Sequence, residues 1–441
     1  MAARVRGFIL MKKFLSFFNL LTVLFLASLP AFCAPQTDVY IGITSVGDKR
    51  LPTIGMPPFN FSGDKAQDAA VEVRDVMRGD LLFARYFDVS EDGPDFNAKK
   101  LSETLTGWAR ARASYLLAGD ISYAEPYYTI KLYVYDISTR QPVFAKAFKG
   151  TQSSLRRLSH IASDQIVSAL TGKRGIADTK IAFSNNSTHY KEIYVVDYDG
   201  ANLQKLTNDK SIAILPRWSK DGRIFYTTYK YKNPDIFAID LRGGKIAPII
   251  IRGGLSLIGG VSPDGKALAF TSSGGSNPSI YIYNLETHAK TRITNKASVD
   301  GSPSYSPDGK YITFVSNRAG NPQIYVMELA TGNTRPLTKN FNWSDSPQWS
   351  PTGEWIVFSG RESPYHPMDI FLVDLTGTQI RRLTTDAGSN EDPTWSPDGR
   401  FIAFTTTRNG KRQLYLMDMD GSAPHLLADL KGDSFTPHWS F

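Results

Sequence analysis

A single unit recurs through this chain from residue 181 to its end, and it is written most clearly as WSPDGRFIAFTTTRNGKRQLYLMDMD at residues 395–420. Asp-Gly and Asn-Gly supply residues that accept positive φ. The runs between them are β-branched, aromatic and partly alternating, which is the chemistry of consecutive hairpins. One unit therefore spells about four short antiparallel strands. The serine that follows the aromatic falls at Ser219, Ser262, Ser306, Ser350, Ser396 and Ser440, with spacings of 43, 44, 44, 46 and 44 residues. A second marker, the expected first residue of the third strand, keeps the same five spacings at Ile193, Ile236, Ile280, Ile324, Ile370 and Leu414. Two markers in step make this a repeat rather than a chance motif.

A period in the low forties carrying four strands is that of propeller blades, whereas helical repeats run near 34 residues and leucine-rich ones about 20–29. Six copies predict a six-bladed ring. The array opens with IAFSNN (residues 181–186), a second strand with no first strand before it, and the sequence ends in TPHWSF (residues 436–441), a first strand newly written. The C-terminal strand is therefore expected to complete the blade begun at Ile181 and to leave no open sheet edge. Two blades depart from the pattern. The third has Gly259-Gly260-Val261 in place of Pro-x-Trp, and the fifth has Thr352 for the turn aspartate and a two-residue insertion near residues 364–367.

The full length of 441 residues predicts two to three domains, and 41% hydrophobic residues can fill more than one core. Lys12 and Lys13 precede an apolar run at residues 14–29, followed by the small residues Ala27, Ser28, Ala31 and Ala34. This is the layout of a secretory signal peptide over residues 1–33. The run is shorter than the roughly 20 residues a membrane span needs. Met11 is an alternative start. Cys33, the single cysteine, follows Phe32 where a lipid-attachment signal has a small residue, so cleavage between Ala31 and Ala34 is expected instead. A mature chain without cysteine suits an oxidising compartment. Arg4, Arg6, Lys12 and Lys13 leave with the signal and no acid does, so the formal charge falls from +8 to +4. That is too mild, and its cations too dispersed, for a nucleic-acid partner.

Residues 34–172 lack the repeat and mix helices with strands. DVYIGIT (38–44) reads as a strand and is followed by a Pro/Gly-rich connection with IGMPPF (54–59). Residues 64–80 place apolar side chains at helical spacing, with Asp64 as expected N-cap. A second helix is expected over 101–111, strands at YLLAGDI, YTIKLYVYDI and PVFAKAF, and a last helix over 153–170. The expected organisation is thus a signal peptide (1–33), an α/β domain (34–172), a short linker (173–180) and the propeller (181–441).

No catalytic constellation emerges. The six histidines, His160, His189, His288, His366, His425 and His438, form neither HExxH nor a close pair, so zinc is not expected. No G-x-S-x-G elbow occurs, and no hydrolase domain is expected beside the ring. The D-x-D-G strings at residues 197–200 and 418–421 lack the rest of a calcium loop and read as hairpin turns. What repeats before each first strand is acidic: Asp300 with Ser302 and Pro303; Asp345, Ser346 and Pro347; Glu391, Asp392 and Pro393; Asp433, Thr436 and Pro437. If the first strand is innermost, these residues ring one mouth of the channel. They either form the loop joining one blade to the next or converge to make one field.

The signal peptide, the α/β domain with DVYIGIT and IGMPPF, and six repeats of the form P-x-W-S-P-D-G…IAF…IYVMD together resemble the TolB family of the bacterial Tol-Pal system. The resemblance covers essentially all of the mature chain. It implies a periplasmic, non-enzymatic, monomeric binding protein without cofactors or metal. Such a protein docks the lipoprotein Pal on the propeller and TolA on its mature N-terminus, in support of outer-membrane integrity and constriction during cell division, and meets membranes only through protein partners. Carried onto this sequence, the TolA-binding segment is residues 34–43, with Pro35, Thr37, Asp38, Val39, Tyr40 and Ile41. The Pal face comprises Leu255, Ser256, Asp300, Gly301 and Ser302, together with Asp345, Glu391 and Asp392. The alternative is a propeller that binds or processes periplasmic glycans or peptides.

Overall fold

A computed structural model describes residues 50–441 apart from 252–253, 275–276 and 296. The expected signal peptide with Cys33, the DVYIGIT strand and the TolA-binding segment (Pro35, Thr37, Asp38, Val39, Tyr40 and Ile41) lie outside the described residues.

The first part is an α/β layer. Its sheet contains β1 (Thr53–Gly55), β2 (Asn60–Ser62), β3 (Asp88–Ser90), β4 (Tyr115–Ala124), β5 (Tyr127–Asp136) and β6 (Pro142–Gly150), in the order β3-β1-β4-β5-β6 with β2 also on β4. Helices α1 (Ala66–Phe83) and α3 (Leu155–Thr171) cover one face, packing Val73, Met77, Ile166 and Val167 on Leu117, Ile130 and Leu132. Helix α2 (Leu101–Arg110) covers part of the other through Leu105 and Trp108 on Leu116 and Ala118. Two details differ from the sequence reading. The N-cap of α1 is Lys65, with no side-chain bond to the helix, and the Gly63 carbonyl accepts the Ala66 N–H at 3.1 Å in place of an Asp64 cap. The short parallel pairings of β1 and β2 are tertiary additions, because three residues carry no period.

Six four-stranded antiparallel sheets follow. Blades two to six run in chain order; blade two, for example, is Ala213–Trp218, Arg223–Thr228, Asp235–Asp240 and Lys245–Ile250. Blade one is completed from the far end of the chain. Ser434–Trp439 pairs with Lys180–Asn185, placing Trp439 opposite Ile181. The first strands of neighbouring blades touch one another around a closed ring, so they are innermost. A strut repeats at all six junctions: a first-strand amide donates to the carbonyl just before the third strand of the preceding blade. The pairs are Ala213 to Lys191, Ser256 to Pro234, Asp300 to Pro278, Ser344 to Pro322, Asn390 to Met368 and Ser434 to Arg412, at 2.7–3.1 Å.

The third strands begin one residue earlier than the apolar pattern indicates, at Glu192, Asp235, Ser279, Gln323, Asp369 and Gln413. These six side chains are polar yet buried. In four blades the next amide donates to a threonine hydroxyl fourteen residues on, as Ile193 does to Thr207 and Ile370 to Thr384. The threonine in turn donates to Glu192 or Asp369. A hydropathy pattern cannot see a buried polar residue whose partner lies on another strand.

The α/β domain docks on blades one and six, on the face where the innermost strands end. Phe83 stacks on Phe401 at 4.6 Å and meets Tyr198 edge-on at 4.9 Å. Arg400 donates to the Ala84 carbonyl at 2.6 Å and lies 4.1 Å over the Tyr86 ring. The connection is pinned by Asp164, which accepts from the Ala177 and Asp178 amides at 2.7 and 3.0 Å, and by Trp439, whose Nε1 donates to Thr179 at 2.8 Å. The opposite face of the ring, where the innermost strands begin, carries no part of that domain among the described residues.

Candidate functional site

We call the two ends of the channel leading and trailing, in the sense of the innermost strands. At the leading mouth five blades use one backbone device. Leu215, Ser302, Ser346, Asp392 and Thr436, each directly before a proline, have φ between +48° and +56°. The ladder shifts register at each of them, and a bulge of this kind re-aims side chains. Here they are aimed at the next blade. Ser302 Oγ donates to Asp345 Oδ1 at 3.1 Å, and Ser346 Oγ to Asp392 Oδ1 at 3.2 Å. The Thr436 amide donates to Asp392 Oδ2 at 3.1 Å, and the Leu215 amide to Thr436 Oγ1 at 3.2 Å. Blades four, five, six, one and two are thereby linked. Blade three, which lacks the proline, is held through the Gly259 carbonyl, which accepts from Arg217 Nε at 2.6 Å. A Cβ on Gly259 would lie 2.3 Å from Pro303, which is why only glycine fits there.

Most of the acids at this mouth are tied up. Asp300 is fully buried and accepts from Ser298 at 2.9 Å and Arg318 at 3.3 Å. Glu391 accepts from Arg412 at 3.0 Å and Ser389 at 2.6 Å. Burial pushes Glu391 up, but these two bonds outweigh it and hold the carboxyl below its ordinary range. For Asp345 and Asp392 burial dominates, and both are pushed up, Asp392 further by the Glu391 charge. Asp345 and Asp392 therefore join blades, whereas Asp300 and Glu391 are paired within their own blade and its entry loop. Of the expected Pal-face residues, Ser256 and Asp300 present no surface. Leu255, Gly301, Ser302, Asp345, Glu391 and Asp392 are part-exposed. Asp345, Glu391 and Asp392 come together with Trp343, Arg361 and Met368 around a cavity of about 250 Å³.

What the acid pattern did not indicate is the apolar rim around that mouth. Among the described residues the propeller has ten exposed large hydrophobic side chains, and seven lie on the leading face: Tyr190, Ile212, Tyr231, Ile251, Val299, Trp343 and Tyr365. Six of them occupy the loops that join second to third strands and one blade to the next, and Trp343 opens the first strand of blade five. Trp343 is 41% exposed and Tyr365 93%. A usable signal was present in the sequence, since apolar residues in turn segments have no strand face to bury. The trailing mouth is different. Trp218, Tyr305, Trp349, Trp395 and Trp439 line a cavity of about 310 Å³, and the four tryptophans are themselves buried between blades.

One other group stands out. His160 on α3 approaches Asp197 and Asp199 of the D-x-D-G turn in blade one, with ligand-type atoms within 4.8 Å of one another. No described helix is long and apolar enough to cross a membrane.

The fold and this geometry define a six-bladed propeller whose trailing face holds its own α/β domain and whose leading face carries an apolar rim. Residues 167–440 match the TolB beta propeller domain family. The chain belongs to that family. A crystal structure of TolB from Acinetobacter baumannii superposes with a TM-score of 0.76 at 26% identity, over 89% of this chain and 97% of that one. The Tol-Pal system protein TolB of Anaeromyxobacter dehalogenans is 33% identical over 292 residues, or 64% of this chain and 66% of that protein. A TolB homolog of Chlorobium chlorochromatii is 32% identical over 60% of each chain. The alignments thus span somewhat less than two thirds of these relatives.

Proposed function

We propose that this chain is a periplasmic, non-enzymatic adaptor of the Tol-Pal system. In this reading it binds the lipoprotein Pal on the leading face of the propeller and TolA through residues 34–43, supporting outer-membrane integrity and constriction during division. The observation that carries the proposal is that seven of the ten exposed large hydrophobic side chains among the described residues of the propeller lie on its leading face. An apolar rim of that kind marks a protein-binding surface, with buried tryptophan and tyrosine as its usual anchors. The family membership supplies the system, and relatives named as Tol-Pal proteins support it.

The test is a titration of the full mature chain with the soluble domain of Pal from the same cell. Replacing Asp300, the obvious choice from sequence, is a poor probe, because alanine there strips Arg318 and Ser298 of their partner inside the fold. Trp343→Ala and Val299→Asp instead change exposed groups. Saturable binding that falls about tenfold or more in either variant supports the reading. Binding unaffected by both moves Pal elsewhere, and no binding by folded wild type favours a propeller for periplasmic glycans or peptides. A parallel titration with TolA and a chain lacking residues 34–43 tests the second partner; undiminished TolA binding removes that assignment.

A further inference from the structure

We propose that His160, Asp197 and Asp199 form a binding site for a divalent transition-metal ion such as Zn²⁺, which clamps the α/β domain to blade one. No catalytic role is involved, and the inference does not depend on either protein partner.

The geometry carries it in three parts. His160 is 2% exposed, and its Nδ1 is 2.9 and 3.0 Å from the two Asp80 oxygens. Asp80 is itself fixed by the Tyr198 hydroxyl at 2.6 Å. A carboxylate on Nδ1 is the usual second partner of a metal-binding imidazole, since it leaves Nε2 as the free donor. Here Nε2 is buried and makes no hydrogen bond. Its neighbours in that direction are carboxylates, with Asp199 Oδ2 at 3.8 Å. Ligands of one tetrahedral zinc ion lie about 3.3 Å apart, from bonds of roughly 2.0–2.1 Å. The group closes on an ion with small side-chain movements. One imidazole and two carboxylates leave a fourth position for water, and this mixed donor set suits Zn²⁺ better than calcium, which takes six to eight oxygens.

Two cations now sit on the carboxylates, together with the Asn202 amide on Asp197 Oδ2 at 2.6 Å and the Ala201 N–H on Asp199 Oδ1 at 3.1 Å. Arg156 pairs with Asp199, and Lys180 with Asp197. Both have long side chains, 31% and 38% exposed, so they can swing outward. A cavity of about 380 Å³ bordered by His160, Asp197, Arg156 and Lys180 gives the ion a way in. Competition with these cations keeps the affinity moderate. The span matters more than the affinity. His160 belongs to α3, whereas Asp197 ends the third strand of blade one and Asp199 sits in the hairpin beyond it. A bound ion would therefore tie helix to blade across the domain boundary.

The experiment is calorimetric titration of the chelator-treated mature chain with Zn²⁺ at neutral pH, alongside His160→Gln, Asp199→Asn, Lys180→Met and, as control, His425→Gln. One site per chain is expected, weakened 10–100-fold by the first two, tightened by Lys180→Met and unchanged by His425→Gln. If His160→Gln does not fold, Asp199→Asn at the turn still decides the matter, as does Co²⁺ added to wild type and Asp199→Asn. Visible cobalt bands in the wild type alone support the site. No saturable binding, or binding that survives Asp199→Asn at full strength, overturns it and leaves adventitious surface histidines.

Discussion

The two mouths of the channel are made by the same six strands and differ in what holds neighbouring strands together. At the leading mouth the joints are hydrogen bonds between unlike partners: Ser302 with Asp345, Ser346 with Asp392, Asp392 with Thr436, and a leucine amide in blade two. At the trailing mouth the joint is a near-uniform wedge of tryptophan, as at Trp218, Trp349, Trp395 and Trp439, each packed among residues of two blades. Packing needs volume at the junctions, so four of the six trailing positions are tryptophan, with Tyr305 and Val261 at the other two. A hydrogen bond needs only a donor and an acceptor, so the leading positions vary from blade to blade. A ring built in this way can specialise one face while the other keeps it folded.

The largest blow to that comparison is removal of the strand on which both mouths depend. A chain lacking residues 435–441 loses the inner strand of blade one and the buried Trp439. It is expected to lose soluble folding or cooperative thermal unfolding; an unchanged melting temperature would show that the closure is dispensable. Next comes the trailing wedge. Trp395→Ala empties a site among Val357, Leu372, Ile402 and Phe404 and should cost about 3–5 kcal/mol in urea unfolding. A cost near that of a leading-mouth substitution would erase the distinction between the two ends.

The leading mouth should yield less. Asp392→Ala leaves the Ser346 hydroxyl and the Thr436 amide without their acceptor, for about 1–3 kcal/mol, while Asp392→Asn keeps the acceptor and relieves a carboxyl that burial already pushes toward its neutral form. Equal losses in the two variants would mean that the charge itself is required.

A smaller effect separates by pH. His438 is half-buried in the ring beside Arg217, and both desolvation and that charge hold its pKa well below the ordinary value. Unfolded, it takes a proton near pH 6.5; folded, it stays neutral and accepts the Trp218 amide at 3.3 Å. Stability from this group is therefore complete above about pH 6.5 and falls below it by up to ~1.4 kcal/mol per pH unit. Groups whose pKa is raised in the fold run the opposite way, among them Asp345 and Asp392 at the leading mouth. Burial raises Asp164 to about 6. His160 is opposed by burial, but Asp80 outweighs it and raises its pKa. The useful quantity is thus the difference between wild type and His438→Asn, measured at pH 7.5 and 5.5. The wild type should lose about 1 kcal/mol more than the variant, and parallel pH profiles would remove His438 from the account. Smallest of all, Trp343→Ala on the leading rim should alter stability by no more than about 0.5 kcal/mol.

The sequence by itself determined the number of blades, the turns between strands, the closure by the C-terminal strand and the succession of helices and strands before it. These depend on local chemistry: alternation, Asp-Gly turns and a period of about 44 residues. Tertiary structure alone decided which acids at the leading mouth are paired, because Arg318 and Arg412 reach Asp300 and Glu391 from positions 18 and 21 residues away, in the loops between second and third strands. It also decided that the third strands start on buried polar residues, and that the α/β domain rests on blades one and six, on the face opposite the leading mouth. Most plainly, it set a histidine of α3 beside a D-x-D-G turn that reads in sequence as a turn and nothing more. Burial and pairing are properties of neighbours, and across blades and domains the neighbours lie tens to hundreds of residues apart along the chain.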